Sequence, residues 1–298
     1  MKKADPELGV ILALGAGLIL GLAVVVSRYA YDSGASGVAV AITRSIIMVL
    51  GFGIYVLLKT RDWHIPKSLI GLTIINGCTM GLMTFGNIGS IEFISIGLSQ
   101  LLFFTFPVQI AIVVTMLGLE EVRASKMGCV FLAFIGLAIM LGSSLGVVDW
   151  RGTSLALMAG VATTINAILV MRFFREINVF LATFYFSVCS FVTLVLLAVM
   201  FAEFRLPRDI SGWLGMIGVG VLQGLGTPMY LYAIVVIGAL KAGMATNLQP
   251  PFAALMAWLL FGELLTVWQT LGGAIILLSI IVMQTFDLRR ARELNPTR

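Results

Sequence analysis

Residues 247–263 read NLQPPFAALMAWLLFGE. Two adjacent prolines, Pro250 and Pro251, interrupt what is otherwise one apolar helical run. Residues 104–120 read FTFPVQIAIVVTMLGLE, the same length, with Pro107 again at the fourth position and a glutamate again at the last. Proline inside a helix removes an amide donor and clashes with the preceding turn. A chain that does this twice in matching contexts raises the question of what the two breaks serve.

The two segments stand 143 residues apart at the proline and at the glutamate (250 − 107, 263 − 120). The same shift lays GVILALGAG, from Gly9 to Gly17, over GTSLALMAG, from Gly152 to Gly160, with six of nine positions identical. It also lays Gly77, Gly81, Leu82 and Thr84 over Gly220, Gly224, Leu225 and Thr227. One ungapped register therefore runs from Gly9 to Glu120, and the chain divides into a first unit, residues 1–147, and a second, residues 148–298.

The composition says where such a chain lives. Hydrophobic residues make up 60% and charged residues 11%, with a mean hydropathy of +1.07. A soluble domain carries about a quarter charged residues. Ten apolar runs, roughly 8–28, 37–58, 69–89, 94–117, 125–146, 153–173, 178–202, 211–236, 240–262 and 266–286, are each long enough to cross a bilayer as a helix. The expected fold class is an all-α integral membrane protein of ten transmembrane helices. Five spans per unit is odd, so the second unit enters from the opposite side. The result is two inverted five-helix repeats around a central cavity, an architecture of secondary transporters. The first run is too long, and lacks a clear small-residue cleavage site, for a cleaved signal peptide.

Basic residues set the orientation. Arg28, Arg151, Arg205 and Arg208 fall on one side and Arg44 inside a span, while the rest of the 19 Lys and Arg share a side with the termini. Both termini are thus expected in the cytoplasm of a multi-pass protein of the plasma (inner) membrane. The net charge of +5 is a topology signal, and no basic patch interleaved with aromatics supports nucleic-acid binding. Cys78, Cys129 and Cys189 each sit in an apolar run with no metal-ligand spacing, and the single histidine, His64, lies in a polar loop. No metal, no cofactor and no enzyme chemistry is expected, since no cluster of nucleophile, base or metal ligands is present. The expected partners are a small-molecule substrate and the lipid bilayer, with the chain a monomer or a weak homodimer.

In lipid, the carbonyl that a proline frees must be satisfied by protein or by a water-filled cavity. Paired breaks at matching depth make Pro107, Pro250 and Pro251 expected helix-break and gating residues beside the cavity; a packing kink is the plainer alternative. Arg44, about seven residues into its span, has Ser187 at the matching position of the second unit, so the charge is present in one half only. It reads either as a fork for a substrate carboxylate or as a snorkelling, structural arginine. Amides within spans need partners and turn inward, toward substrate or toward neighbouring helices. Asn76, Gln100, Asn166, Gln223, Asn247 and Gln249 are the candidates, with Asn87 and Gln109 beside them. Gln100, Phe104 and Pro107 share one helix face at spacing i, i+4, i+7. Phe103, Phe104, Tyr230, Tyr232 and Trp258 are aromatic candidates for enclosing an apolar group, with packing or a lipid-facing role as the plainer alternative.

The segment from Gly226 to Met283 resembles the closing half of EamA-type proteins of the drug/metabolite transporter superfamily. The resemblance rests on Tyr230 and Tyr232, the Ala/Gly-rich start from Ala239 to Ala245, Pro250, Gly262 with Glu263, and Gly272 with Gly273. The first half matches more loosely, through Pro107, Glu120 and Arg44, and has GLEE where GE is usual. The resemblance implies ten helices around a central cavity, helices five and ten set apart from the substrate path, and transport of amino acids, other small metabolites or drugs. It also implies export. The expected function is a secondary transporter moving an amino acid or similar carboxylate out of the cell by alternating access. Since no Asp or Glu lies at mid-membrane, and Glu7 only precedes the first helix, where the related small multidrug exporters keep a glutamate, a facilitator or exchanger is expected. The alternatives are an importer of organic acids or other small metabolites, and a proton-coupled antiporter using Glu92. A channel would conduct without saturating.

Overall fold

The computed structural model describes residues 6–60, 63–120, 123–142, 148–201 and 204–294. Its helices are α1 (Pro6–Asp32), α2 (Gly37–Lys59), α3 (Ile70–Ser90), α4 (Ile96–Phe103), α5 (Phe106–Met116), α6 (Ala124–Leu141), α7 (Trp150–Phe173), α8 (Val179–Phe201), α9 (Ile210–Ile237), α10 (Ala239–Thr246), α11 (Gln249–Phe261) and α12 (Val267–Leu294). Among the described residues, eight helical stretches are long and apolar enough to cross a membrane, counting α4 with α5 as one. The pair α10–α11 and the apolar part of α12, Val267–Met283, complete ten crossings.

The helix boundaries repeat the sequence register. The starts of α10, α11 and α12 each lie 143 residues after those of α4, α5 and α6, and the end of α10 lies 143 after that of α4. The expected fourth and ninth spans are therefore not kinked single helices. Each is two short helices meeting at two residues, Phe104–Thr105 and Asn247–Leu248. Pro107 and Pro250 occupy the first turn of the following helix. There the missing amide is one that a helix start leaves unbonded anyway, so the break costs little where the proline stands. What remains is the carbonyl left behind. That of Phe103 faces Gly160 of α7, and that of Phe106 accepts from the Thr164 hydroxyl at 3.4 Å. At the second break Gly17 and Gly21 of α1 lie against the carbonyls of Ala245 and Gln249, where an added β-carbon would sit 3.0 Å away. The same helix position thus serves the break with a hydroxyl in one repeat and with backbone closeness in the other.

The tight packing crosses the repeats. α1 lies along α9, and its counterpart α7 lies along α3. α2 meets α8 between them, while α6 and α12 pair at the side of the bundle. Helices α6 and α12 are thus the fifth and tenth crossings, away from the centre. Loop residues set the helix starts: Ser36, Ser95, Asp149 and Asp209 cap α2, α4, α7 and α9 with their side-chain oxygens. The bundle end where α1 begins and α12 ends is here the termini face, and the opposite end the far face. Toward the termini face the bundle is packed solid. Met171, Phe174, Phe186, Ile234, Ala239 and Leu240 are each 2% exposed or less, and the rings of Phe174 and Phe186 meet edge-on at 5.0 Å.

Candidate functional site

A cavity of about 190 Å3 lies at the centre of the bundle. It has room for several waters or one small solute. Its wall obeys the repeat. Leu20, Met80, Thr84, Asn87, Ile88, Phe103 and Phe106 of the first half line it, and so do the residues 143 positions later, Thr163, Gln223, Thr227, Tyr230, Leu231, Thr246 and Gln249. The two helix breaks contribute Phe103, Phe106, Thr246 and Gln249, so the breaks do flank the cavity, although the prolines themselves do not line it. Five further lining residues, Val24, Arg44, Met83, Gln100 and Asn166, have counterparts that do not reach the wall. All but Asn166 belong to the half of the bundle nearer the far face. The cavity therefore extends from mid-depth toward the far face and stops short of the sealed termini face.

Among the expected residues, Arg44, Gln100, Asn166, Gln223, Tyr230 and Gln249 are brought together at this wall. Arg44 donates to the Thr84 hydroxyl across the α2–α3 contact. None of the lining residues is acidic. Gln100 donates from Nε2 to Asn87 Oδ1 at 3.0 Å. That bond spans the two helices flanking the far-face turn. Gln223 Nε2 reaches Thr227 Oγ1 at 3.4 Å, and Asn166 Nδ2 donates to the Asn76 carbonyl at 3.4 Å. The buried Tyr230 hydroxyl has no hydrogen-bond partner among the described residues. An unpaired buried hydroxyl costs free energy unless water or a ligand bonds to it.

Asn76, Phe104 and Asn247 stand elsewhere. Asn76 is fully buried in α3, and neither side-chain atom finds a partner among the described residues. Phe104 is 4% exposed and packs against Phe103 and Phe106, backing the wall without reaching it. Asn247 caps α10 with its Nδ2 3.7 Å from Met244 Sδ. The stripe Gln100, Phe104, Pro107 shares a face only up to the break, because the chain turns between Phe103 and Phe106. Gln109 is interhelical glue: it donates to Thr105 at 2.9 Å and accepts from Thr164 at 3.2 Å. Glu92 is exposed in the turn after α3, outside the lining. Of the named candidates Asn87 and Phe103 also stand on the wall; Leu20, Val24, Met80, Met83, Thr84, Ile88, Phe106, Thr163, Thr227, Leu231 and Thr246 complete it, and the repeat offset pairs most of them and could have found them. Pro228, inside α9 between Thr227 and Tyr230, was also passed over.

A second cleft, about 570 Å3, lies between α1, α2, α8 and α9. It is larger, but its wall holds no amide and no charge, only apolar side chains and the tyrosines Tyr55 and Tyr232. Convergent polar groups mark a ligand site better than volume does, so the central cavity is the candidate.

A cavity between pseudo-symmetric broken helices defines a membrane carrier. The model of the EamA-like transporter family matches residues 150–285. An uncharacterized transporter of Archaeoglobus fulgidus is 25% identical over 224 residues, which cover 74% of this chain and 78% of that protein. A solved crystal structure superposes with a TM-score of 0.81, covering 95% of this chain and 99% of its own at 14% identity, a likeness of fold. The resemblance read from the sequence is borne out: residues 150–285 resemble the EamA-like transporter family, and the protein is a multi-pass membrane transporter of a small metabolite.

Proposed function

We propose that the protein carries an amphipathic carboxylate, an amino acid with an apolar side chain or a close analogue, out of the cell by alternating access. The observation that carries this reading is Arg44: a guanidinium in the cavity wall beside Thr84, with no acidic residue in the lining. In a low-dielectric cavity a cation attracts an anion far more strongly than in water. The fork of the guanidinium matches a carboxylate. The lining combines the apolar side chains of Met80, Met83, Phe103 and Phe106 with amides and hydroxyls, which suits an amphipathic molecule.

The absence of a carboxylate from the lining favours a facilitator or exchanger, because a proton relay needs a titratable group on the path. Export follows from the family resemblance, and the distribution of Lys and Arg supports cytoplasmic termini in the plasma membrane. The far face would then be the outside. We assign the sequence units 1–147 and 148–298 to the two halves of the carrier. Since α1 packs on α9 and α3 on α7, each moving body would draw helices from both.

The test is counterflow into proteoliposomes loaded with an apolar amino acid, comparing that acid with its carboxamide. The acid should exchange and saturate, and the carboxamide should compete at least about tenfold less well, as expected for losing a charged hydrogen bond. Equal competition would remove Arg44 as a carboxylate anchor. Accumulation that requires a pH gradient and Glu92 would replace the exchanger with an antiporter.

A further inference from the structure

Glu120 and Glu263 occupy the same position of the two repeats, in the loops after α5 and α11. Their surroundings differ. Glu120 turns back onto the other repeat. Its Oε1 accepts from the amide of Ala239 at 2.8 Å, and the amide of Leu240 donates to it too. These are the first two amides of α10, the half-helix that runs from the termini face to the cavity wall at Thr246. Gly238, at φ +90°, makes room: a β-carbon there would collide with the Glu120 carboxylate. The contact sits beside the sealed layer formed by Met171, Leu240 and Ile234.

The matching amides at the far face belong to Ile96 and Gly97, at the start of α4. There Ser95 caps the helix, its hydroxyl accepting from the amide of Leu98 at 3.2 Å. Glu263 lies on the surface and pairs with Arg28. That arginine is also 3.5 Å from Asp32 and lies over the Phe261 ring at 4.5 Å. The position matching Arg28 in the second repeat is Met171, whose sulfur lies 3.4 Å from the Ala239 amide. One carboxylate is thus locked onto a half-helix at the sealed face, and its twin is held by a cation at the face toward which the cavity extends.

We propose that Glu120 is a latch of one end only: its carboxylate grips α10, the half-helix of the opposite repeat, when the termini face is closed, as in this structure, and Glu263 makes no matching grip. The counterpart of Gly238 is Ser95, whose β-carbon fills the room that Gly238 leaves and whose hydroxyl already caps α4. Glu263 stays with Arg28, while Lys126 and Lys241 are the cations near Glu120. Transport then requires Glu120 to leave the amides of Ala239 and Leu240. This inference rests on the alternating-access reading above.

The experiment uses the full chain with Cys78, Cys129 and Cys189 replaced by alanine and a single reporter, Met83→Cys, in the cavity wall. The protein is placed in sealed, uniformly oriented vesicles without substrate, and a membrane-impermeant maleimide is added to either side. The parent should label from the far face. Glu120→Ala should shift the labelling ratio toward the termini face about tenfold, as expected when charge-assisted hydrogen bonds are lost. Glu120→Gln, which keeps an accepting oxygen, should largely retain the parent ratio. Glu120→Asp, one methylene shorter, should shift the ratio in the direction of Glu120→Ala by about two- to fivefold, as for a weakened hydrogen bond. Arg28→Met and Glu263→Ala, which touch only the far-face pair, should leave the ratio close to the parent's, since an exposed ion pair is worth little.

An unchanged ratio in both Glu120→Ala and Glu120→Asp, with melting temperatures like the parent's, overturns the proposal, and so does a shift in Arg28→Met as large as that in Glu120→Ala. If Glu120→Ala does not fold, Glu120→Asp decides alone. Shifted labelling, together with no amino-acid exchange by the unsubstituted chain, would leave the latch standing and remove the proposed substrate. Normal exchange with unshifted labelling would do the reverse.

Discussion

At the cavity wall the first repeat presents Leu20, Met80, Ile88, Phe103 and Phe106, and at the matching positions the second presents Thr163, Gln223, Leu231, Thr246 and Gln249. The backbone positions are the same, set by the same breaks and the same crossing partners. Only the side chains differ, and all of these pairs but Ile88 and Leu231 differ in one direction: the first half supplies most of the hydrocarbon and the second most of the hydrogen-bonding groups. On the proposed alternating-access reading, symmetry in the backbone would let one site be reached from two faces, and asymmetry in the side chains would orient the substrate. Arg44 runs against the division, since the one charge of the wall lies in the first half; its counterpart Ser187 is 1% exposed and does not reach the wall. The backbone is thus symmetric and the lining is not.

The largest expected effect falls on the charge. Arg44→Ala should weaken binding of an apolar amino acid about 10- to 100-fold, the range for a hydrogen bond to a charged group. Binding of its carboxamide should hardly change. Isothermal titration or thermal shift of the detergent-purified protein would read this, and equal losses for acid and carboxamide would break the assignment of recognition to the first repeat's one charge.

A smaller effect tests the polar wall. Gln249→Leu, which brings that position toward its counterpart Phe106, should reduce affinity about 2- to 10-fold, as for a neutral hydrogen bond. The loss should grow as the ligand's polar groups increase in number. A ligand series with fixed side chain and varied polar end would show it; a gain for every ligand would mean that the second repeat's wall is not the polar side.

The smallest effect concerns pH and compares the two end glutamates. Burial raises the Glu120 carboxyl above its ordinary value, against the opposing pull of its two backbone donors and of Lys126 on α6 and Lys241 on α10. A raised value in the engaged state means that this state holds a proton the released state has lost, in the window between the ordinary and the raised value. Falling pH through that window should favour the sealed termini face, and rising pH should withdraw that advantage. The maleimide ratio measured across mildly acidic pH should drift accordingly, and Glu120→Gln should abolish the drift. A drift that survives the substitution would assign it to another group.

Much of the architecture was legible in the sequence because it is written in local chemistry. Spans follow from runs of apolar residues, since an unpaired backbone cannot cross lipid. The breaks follow from Pro107 and Pro250, since proline acts on its own turn. The repeat follows from a register that survives because both halves must build the same broken helix. The cavity wall was only partly legible. Gln100, Gln223, Gln249 and Arg44 stand on it, yet Asn76 and Asn247, as polar and as deep in the sequence, do not. Which side of a helix faces inward is settled by the helices packed against it. An apolar sequence with small residues on several faces does not declare that choice.

The sequence by itself thus determined the membrane, the ten crossings, the 143-residue symmetry and the places where two helices must break. Only the tertiary structure decided which of the paired positions meet at the centre, that Arg44 turns to Thr84, and that Glu120 reaches the α10 amides while Glu263 keeps to Arg28. The physical reason is that identical local rules act on both halves, whereas the difference between the two ends of the bundle lies in contacts between residues more than a hundred positions apart, Glu120 with Ala239 and Arg28 with Glu263.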